Sequence, residues 1–162
     1  MISLAEHRGA PANLNTHTTS LDANSAATVY VVDDDEHVRG SLTMLMESVN
    51  QPVEAYSSAQ EFLEVWDGQP GGVLVLDIRM PEMSGLALQE RLEKTSAVMP
   101  IIFITGYGDI STAVRAMRHG AFDFVQKPYR SQDMLDTIQR ALALCASALE
   151  NHRRRKRALD HM

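Results

Sequence analysis

Five short apolar runs punctuate the chain: TVYVV at 28–32, PVEAY at 52–56, VLVL at 73–76, IIFI at 101–104 and FDFV at 122–125. Longer amphipathic stretches separate them, and this alternation constrains the fold more than any other feature. Runs this short, several of them β-branched throughout, suit parallel strands buried on both faces. The intervening stretches repeat at helical spacing, with Val38, Leu42, Leu45 and Val49 in the first and Leu135, Ile138, Leu142 and Cys145 in the last. Local stop signals agree. Ser58 and Glu61 have the spacing of a capping box, Asp109 is placed to cap 110–119, and Gly120 can close that segment. Strand and helix alternating five times predict an α/β domain: a five-stranded parallel sheet, doubly wound, with helices on both faces. Right-handed crossovers put every strand's carboxyl end on one edge, where open sheets of this kind bind ligands.

The length of 162 residues suits one such domain with extensions. Residues 1–27 are rich in Ala, Asn, Thr and Ser without helical or strand period, and read as a mostly disordered tail with room for a short helix near Ser20–Ala26. Residues 28–149 form the expected domain. Residues 150–162 continue the last amphipathic stretch without Gly or Pro, as a basic helix end or linker. Charge divides along the same line. Residues 28–149 carry 9 basic and 17 acidic side chains, whereas 150–162 carry 5 basic and 2 acidic. The acidic body argues against non-specific nucleic-acid binding by the domain itself. The run NHRRRKR is compatible with a nucleic-acid contact, a helix C-terminus favoured by the macrodipole or a solvated linker. A single cysteine excludes an internal disulfide framework. No apolar run approaches the roughly 18 residues a membrane span needs, and the N-terminus lacks a secretory layout. The expected location is the cytoplasm, with no membrane partner.

The residues at the strand ends are more specific. Asp33-Asp34-Asp35-Glu36 comes after the first strand, Asp77 after the third, Thr105-Gly106 after the fourth and Lys127-Pro128 after the fifth. Taken singly, each has an ordinary reading as a turn, a cap or a loop. Together, four polar groups far apart in sequence converge on one edge. Clustered carboxylates raise one another's pKa unless a cation neutralises them. Oxygen-only donors with no His or Cys nearby suit Mg²⁺ or Mn²⁺. Lys127 is a good phosphate partner and Thr105 can donate its hydroxyl. Asp77, shielded by the metal, can then attack phosphorus as a carboxylate nucleophile.

The motifs VVDDDE, VLDIRMPEMSG, FITGYGD and FVQKPY, in this order over about Thr28 to Leu149, closely resemble the receiver domain of two-component response regulators. The wording IFITGYGDI, AVRAMRHGAFDF and QKP is similar to the FixJ-type branch, whose members usually carry a C-terminal helix-turn-helix. The resemblance implies a flavodoxin-like receiver fold, to which the uninterrupted last stretch of this chain adds an extended C-terminal helix. It implies Asp77 as phospho-acceptor, Asp33 and Asp34 as the metal-binding acid pair, and the Arg79 backbone carbonyl as a further metal ligand. Thr105 matches the switch hydroxyl, Lys127 the phosphate-binding lysine and Phe124 the switch aromatic; Lys127-Pro128 is typically cis in this family. Gly106 stands where many receivers have Ala. Arg79 and Tyr107 flank the phosphate at variable positions, and the Arg79 side chain could shield the phosphate or lie in solvent.

The expected function is a switch, not an enzyme. A sensor histidine kinase donates a phosphoryl group to Asp77 with Mg²⁺, and the surface of the fourth helix, fifth strand and fifth helix changes to control homodimerisation and transcription. No second hydrophobic unit comes after the domain, so DNA contact is expected only through an effector domain outside this chain, which reads as a receiver fragment or a complete single-domain regulator. Two rivals stand beside it. A Mg²⁺-dependent phosphatase with an aspartyl nucleophile would want an acid two residues after Asp77, where Arg79 stands. A receiver-like protein-binding module that is never phosphorylated would not need the intact acid pair, Asp77, Thr105 and Lys127.

Overall fold

Each apolar run is a strand in the computed structural model, which describes residues 27–68, 71–95 and 99–160. The strands are β1 (Thr28–Val32), β2 (Val53–Tyr56), β3 (Gly72–Asp77), β4 (Ile101–Thr105) and β5 (Asp123–Gln126). All pair in parallel, in the spatial order β2-β1-β3-β4-β5. Five helices alternate with them: α1 (Glu36–Ser48), α2 (Ala59–Val65), α3 (Gly85–Glu93), α4 (Ile110–Arg118) and α5 (Ser131–Asp160). The expected tail and the short helix near Ser20–Ala26 lie outside the described residues, Ala27 excepted.

The period of two along each strand sorts the core into two layers. Leu74, Leu76 and Phe103 face Phe62, Leu88, Leu92, Ala113 and Ala116 of α2, α3 and α4. Val73, Val75, Ile102 and Ile104 face Leu42 and Met46 of α1 and Met134, Ile138, Ala141 and Cys145 of α5. The central strands are therefore apolar on both faces, whereas the edge strands β2 and β5 carry exposed Glu54, Ala55 and Gln126. The α1 stripe ends one turn earlier than the spacing suggested. α1 stops at Ser48, Val49 is its exposed C-cap residue, and Met46 takes the buried place.

Side chains close three of the helix starts. Asp35 accepts from the His37 amide at 2.8 Å, Ser58 from Glu61 at 3.1 Å and Ser84 from Ala87 at 3.2 Å. The Ser58–Glu61 box is half closed, because the Glu61 carboxylate takes the Ser57 hydroxyl. Gly120, at φ 95°, ends α4 as expected. Asp109 departs from expectation: it occupies the N-cap position of α4 but makes no capping hydrogen bond. α5 packs on the sheet as far as Cys145 and runs on to Asp160, with residues 153–159 exposed and Glu150 paired to Arg154 at 3.4 Å.

Candidate functional site

The strand order decides which carboxylates meet. The chain leaves β1 for β2 at the edge, then crosses back past β1 to β3, so β3 lies between β1 and β4. A crevice opens where the winding direction reverses. Asp33, just beyond β1, thus flanks Asp77 at the end of β3, and Thr105 ends β4 on the other side. One carboxylate oxygen each from Asp33, Asp34 and Asp77 lies within 4.8 Å of the others.

Each side chain is held from below. Asp33 is fully buried; one of its oxygens accepts the Asp35 amide at 2.8 Å, and its backbone carbonyl accepts Arg39 Nη1 at 2.7 Å. Asp34 is exposed, and Asp77, half-buried, accepts the Arg79 amide at 3.2 Å. The Lys127 amide donates to the Thr105 carbonyl at 2.8 Å, which lays the end of β5 beside that of β4. From there the Lys127 ammonium stands 4.0 Å from the second oxygen of Asp33. The Lys127-Pro128 bond is cis. Phe124 is half-buried and pairs in register with Phe103, two residues before Thr105 on the same side of the pleat.

The electrostatics are those of crowded acids. Burial, then the negative charge of Asp33 and more weakly of Asp34, pushes Asp77 up to about 7 against the opposing Arg79 amide and Lys127 ammonium. Burial raises Asp33 as well, against the Asp35 amide and Lys127. Among the described residues, two buried polar oxygens here lack a hydrogen-bond partner: Asp33 Oδ2 and Thr105 Oγ1. Buried polar groups are normally satisfied, so both point to an absent partner. Three carboxylates, one with an unused buried oxygen, form the donor set that a hard divalent cation takes.

Three features of the site were not legible in the sequence. Arg79, expected either over the phosphate or in solvent, is largely exposed but also tied to Asp109, with Nε and Nη2 at 2.7 and 2.6 Å from the same oxygen. Asp109 thus spends one carboxylate oxygen on Arg79 and none on the amides of α4. Gly85, the first residue of α3, approaches the end of β3 so closely that a Cβ there would stand 2.4 Å from the Asp77 carbonyl oxygen. Arg39 was not singled out at all. A glycine after Ser84 resembles any helix start, and opposite charges 30 residues apart leave no periodic trace.

Comparison with known proteins agrees with this geometry. The family described as response regulator receiver domain matches residues 29–139. The transcriptional regulatory protein TdiR of Thauera aromatica is 43% identical over 136 residues, covering 84% of this chain and 60% of TdiR. The chain thus spans about three fifths of that relative's length. Among solved structures, the response regulator StyR superposes with a TM-score of 0.77 at 44% identity, covering 82% of this chain and 67% of that one. FixJ-N superposes with a TM-score of 0.68 at 41% identity, covering 72% and 94% respectively. Strand order, acid cluster and relatives agree, and the chain belongs to the response regulator receiver domain family.

Proposed function

We propose that Asp77 is the acceptor of a phosphoryl group delivered by the phosphohistidine of a sensor histidine kinase. A carboxylate oxygen of Asp77 attacks phosphorus, the phosphorus–nitrogen bond breaks, and the imidazole returns to the kinase. The observation that carries this reading is the pair of unpartnered oxygens, Asp33 Oδ2 just beyond β1 and Thr105 Oγ1 at the end of β4, on either side of Asp77. Members of this family generally hold Mg²⁺ at an acidic pocket. Here Asp33, Asp34, Asp77 and the Arg79 carbonyl would hold Mg²⁺ or Mn²⁺, which when bound neutralises carboxylate and phosphoryl charge. Lys127 holds the phosphoryl group by charge, and the Thr105 hydroxyl, having no other partner, donates to it.

The working unit is residues 28–149, with the basic stretch beyond it a solvated helix end or linker. Thr105 moves toward the phosphoryl group, and Phe124, packed in the same layer, moves with it. The surface of α4, β5 and α5 then forms a homodimer. An exposed apolar line on α4, Ile110, Val114 and Met117, supports that choice. The name of TdiR supports a transcriptional output, with DNA reached through an effector domain of the full-length protein. No helix among the described residues is long and apolar enough to cross a membrane, and the proposed place of action is the cytoplasm. The phosphatase alternative is weaker, because the position two beyond Asp77 is an arginine engaged with Asp109. The decisive experiment is incubation with a small phosphodonor and Mg²⁺, with intact mass measured over time. A persistent gain of one phosphoryl group is expected. Donor turnover with no adduct would favour the phosphatase, and neither adduct nor turnover the binding module.

A further inference from the structure

Asp109 has two uses open to it, and the structure shows one. As N-cap residue of α4 it could accept the amides of Ser111 and Thr112, as Asp35, Ser58 and Ser84 do for their own helices. Those three residues have extended backbones, with ψ of 116°, 159° and 164°. Asp109 has ψ 20°, and its side chain makes no capping bond. Its carboxylate, 6% exposed, instead takes two donors from Arg79, whose side chain is 77% exposed. The segment leading into Asp109 is built to turn. Gly106 lies against the second oxygen of Asp109, with room for a Cβ at 3.5 Å, and Gly108 has φ 89°.

Arg79 sits two residues beyond Asp77, and its amide already donates to the Asp77 carboxylate. A phosphoryl group there adds nearly two negative charges and several acceptor oxygens within the same loop. A guanidinium binds a phosphate as a two-pronged partner, and more strongly than it binds a single carboxylate oxygen. Once released, the Asp109 carboxylate would lose its side-chain partner. The amides of the first turn of α4 are the donors at hand.

We propose that the Arg79–Asp109 ion pair is a latch that holds Asp109 out of capping geometry until Asp77 is phosphorylated, whereupon Arg79 turns to the phosphoryl group and Asp109 caps α4. The latch rests on the acceptor reading for its trigger, but the ion pair itself needs no phosphate to be tested. It gives the start of α4 a route of response separate from Thr105 and Phe124, running through the loop after β3.

Amide hydrogen exchange at Ser111 and Thr112 reads the latch directly. In the unphosphorylated chain, Arg79→Ala and Asp109→Asn both free a side chain able to cap, so exchange slows by about fivefold relative to wild type, the equivalent of one capping interaction. Asp109→Ala removes both uses, and exchange stays fast with or without phosphate. In the wild type, phosphorylation, monitored by intact mass, produces the same slowing. Arg79 is exposed, so its replacement keeps the test valid should the Asp109 variants fold poorly. Unchanged exchange in Arg79→Ala overturns the latch, as does phosphoryl uptake by the wild type without slowing at these amides. No uptake at all overturns the acceptor reading and the trigger with it, whereas slowing in both unphosphorylated variants still upholds the ion pair as the restraint.

Discussion

The Lys127 ammonium stands 4.0 Å from Asp33 Oδ2, near enough to attract it and too far to donate a hydrogen bond. Asp33 Oδ2 is fully buried and has no other partner among the described residues. Anion and cation thus face each other across the sheet edge with bonding capacity in reserve on both sides. That is the arrangement needed by a site that must admit a cation beside the acids and an anion beside the lysine.

Without metal, the ionised site opposes folding. Asp77 sits at about 7 in the folded chain and near 3.9 when unfolded. Between these values the folded state binds the extra proton, so stability falls as pH rises toward 7, and the penalty is complete above it. In chelator, Asp77→Asn is expected to raise stability at about pH 8 by about 2 kcal/mol, after allowance for solvent screening, and much less at about pH 4.5. Urea unfolding at the two pH values checks this. An equal gain at both would show that the carboxylate's charge is not the cause.

Mg²⁺ is expected to raise the melting temperature of the wild type, since binding to the folded state alone stabilises it by mass action. Asp34→Ala removes most of that increment, because Asp34 is the exposed member of the acid cluster and the readiest to reach an incoming ion. The same substitution relieves repulsion on Asp77, so the metal-free variant is no less stable than wild type. Thermal scans with and without Mg²⁺ separate the two effects. A full Mg²⁺ increment in Asp34→Ala would remove Asp34 from the metal site.

Thr105 Oγ1 is buried and unpartnered, so its loss is expected to cost the fold nothing. Thr105→Val keeps the shape and removes an unsatisfied hydroxyl; stability stays level or rises by about 1 kcal/mol. The variant accepts phosphate on Asp77 yet dimerises poorly. Sedimentation of phosphorylated wild type and variant at matched concentration is the measurement, and equal dimer fractions would show that the hydroxyl transmits nothing.

Gly85→Ala drives a Cβ to within 2.4 Å of the Asp77 carbonyl oxygen, a distance that neither backbone can accept without moving. A loss of about 1–3 kcal/mol is expected, with slower phosphoryl uptake because the shift is transmitted to Asp77. Denaturant unfolding and intact mass over time report the two halves. Normal uptake in a destabilised variant would confine Gly85 to packing.

The alternation of apolar runs and amphipathic stretches determined five strands, five helices and the placing of Asp33, Asp77, Thr105 and Lys127 at strand ends. These are short-range properties, set by the period of two or about 3.6 within a few residues, and they survive translation into structure nearly intact. The stripe of α1 shows the limit of such reasoning. Val49 and Met46 both fit the helical face, and only the end of the helix at Ser48 decided for Met46. The meeting of Asp33 with Asp77 depends on β1 lying beside β3, which the order β2-β1-β3 brings about across more than forty residues. The choice of Asp109 between Arg79 and the first turn of α4 was settled across thirty residues. Two sets of donors were open to one carboxylate, and the path of the loop after β3 put the guanidinium within hydrogen-bonding distance. Competition of that kind leaves no mark on residue spacing, because it is decided by where the chain returns in space.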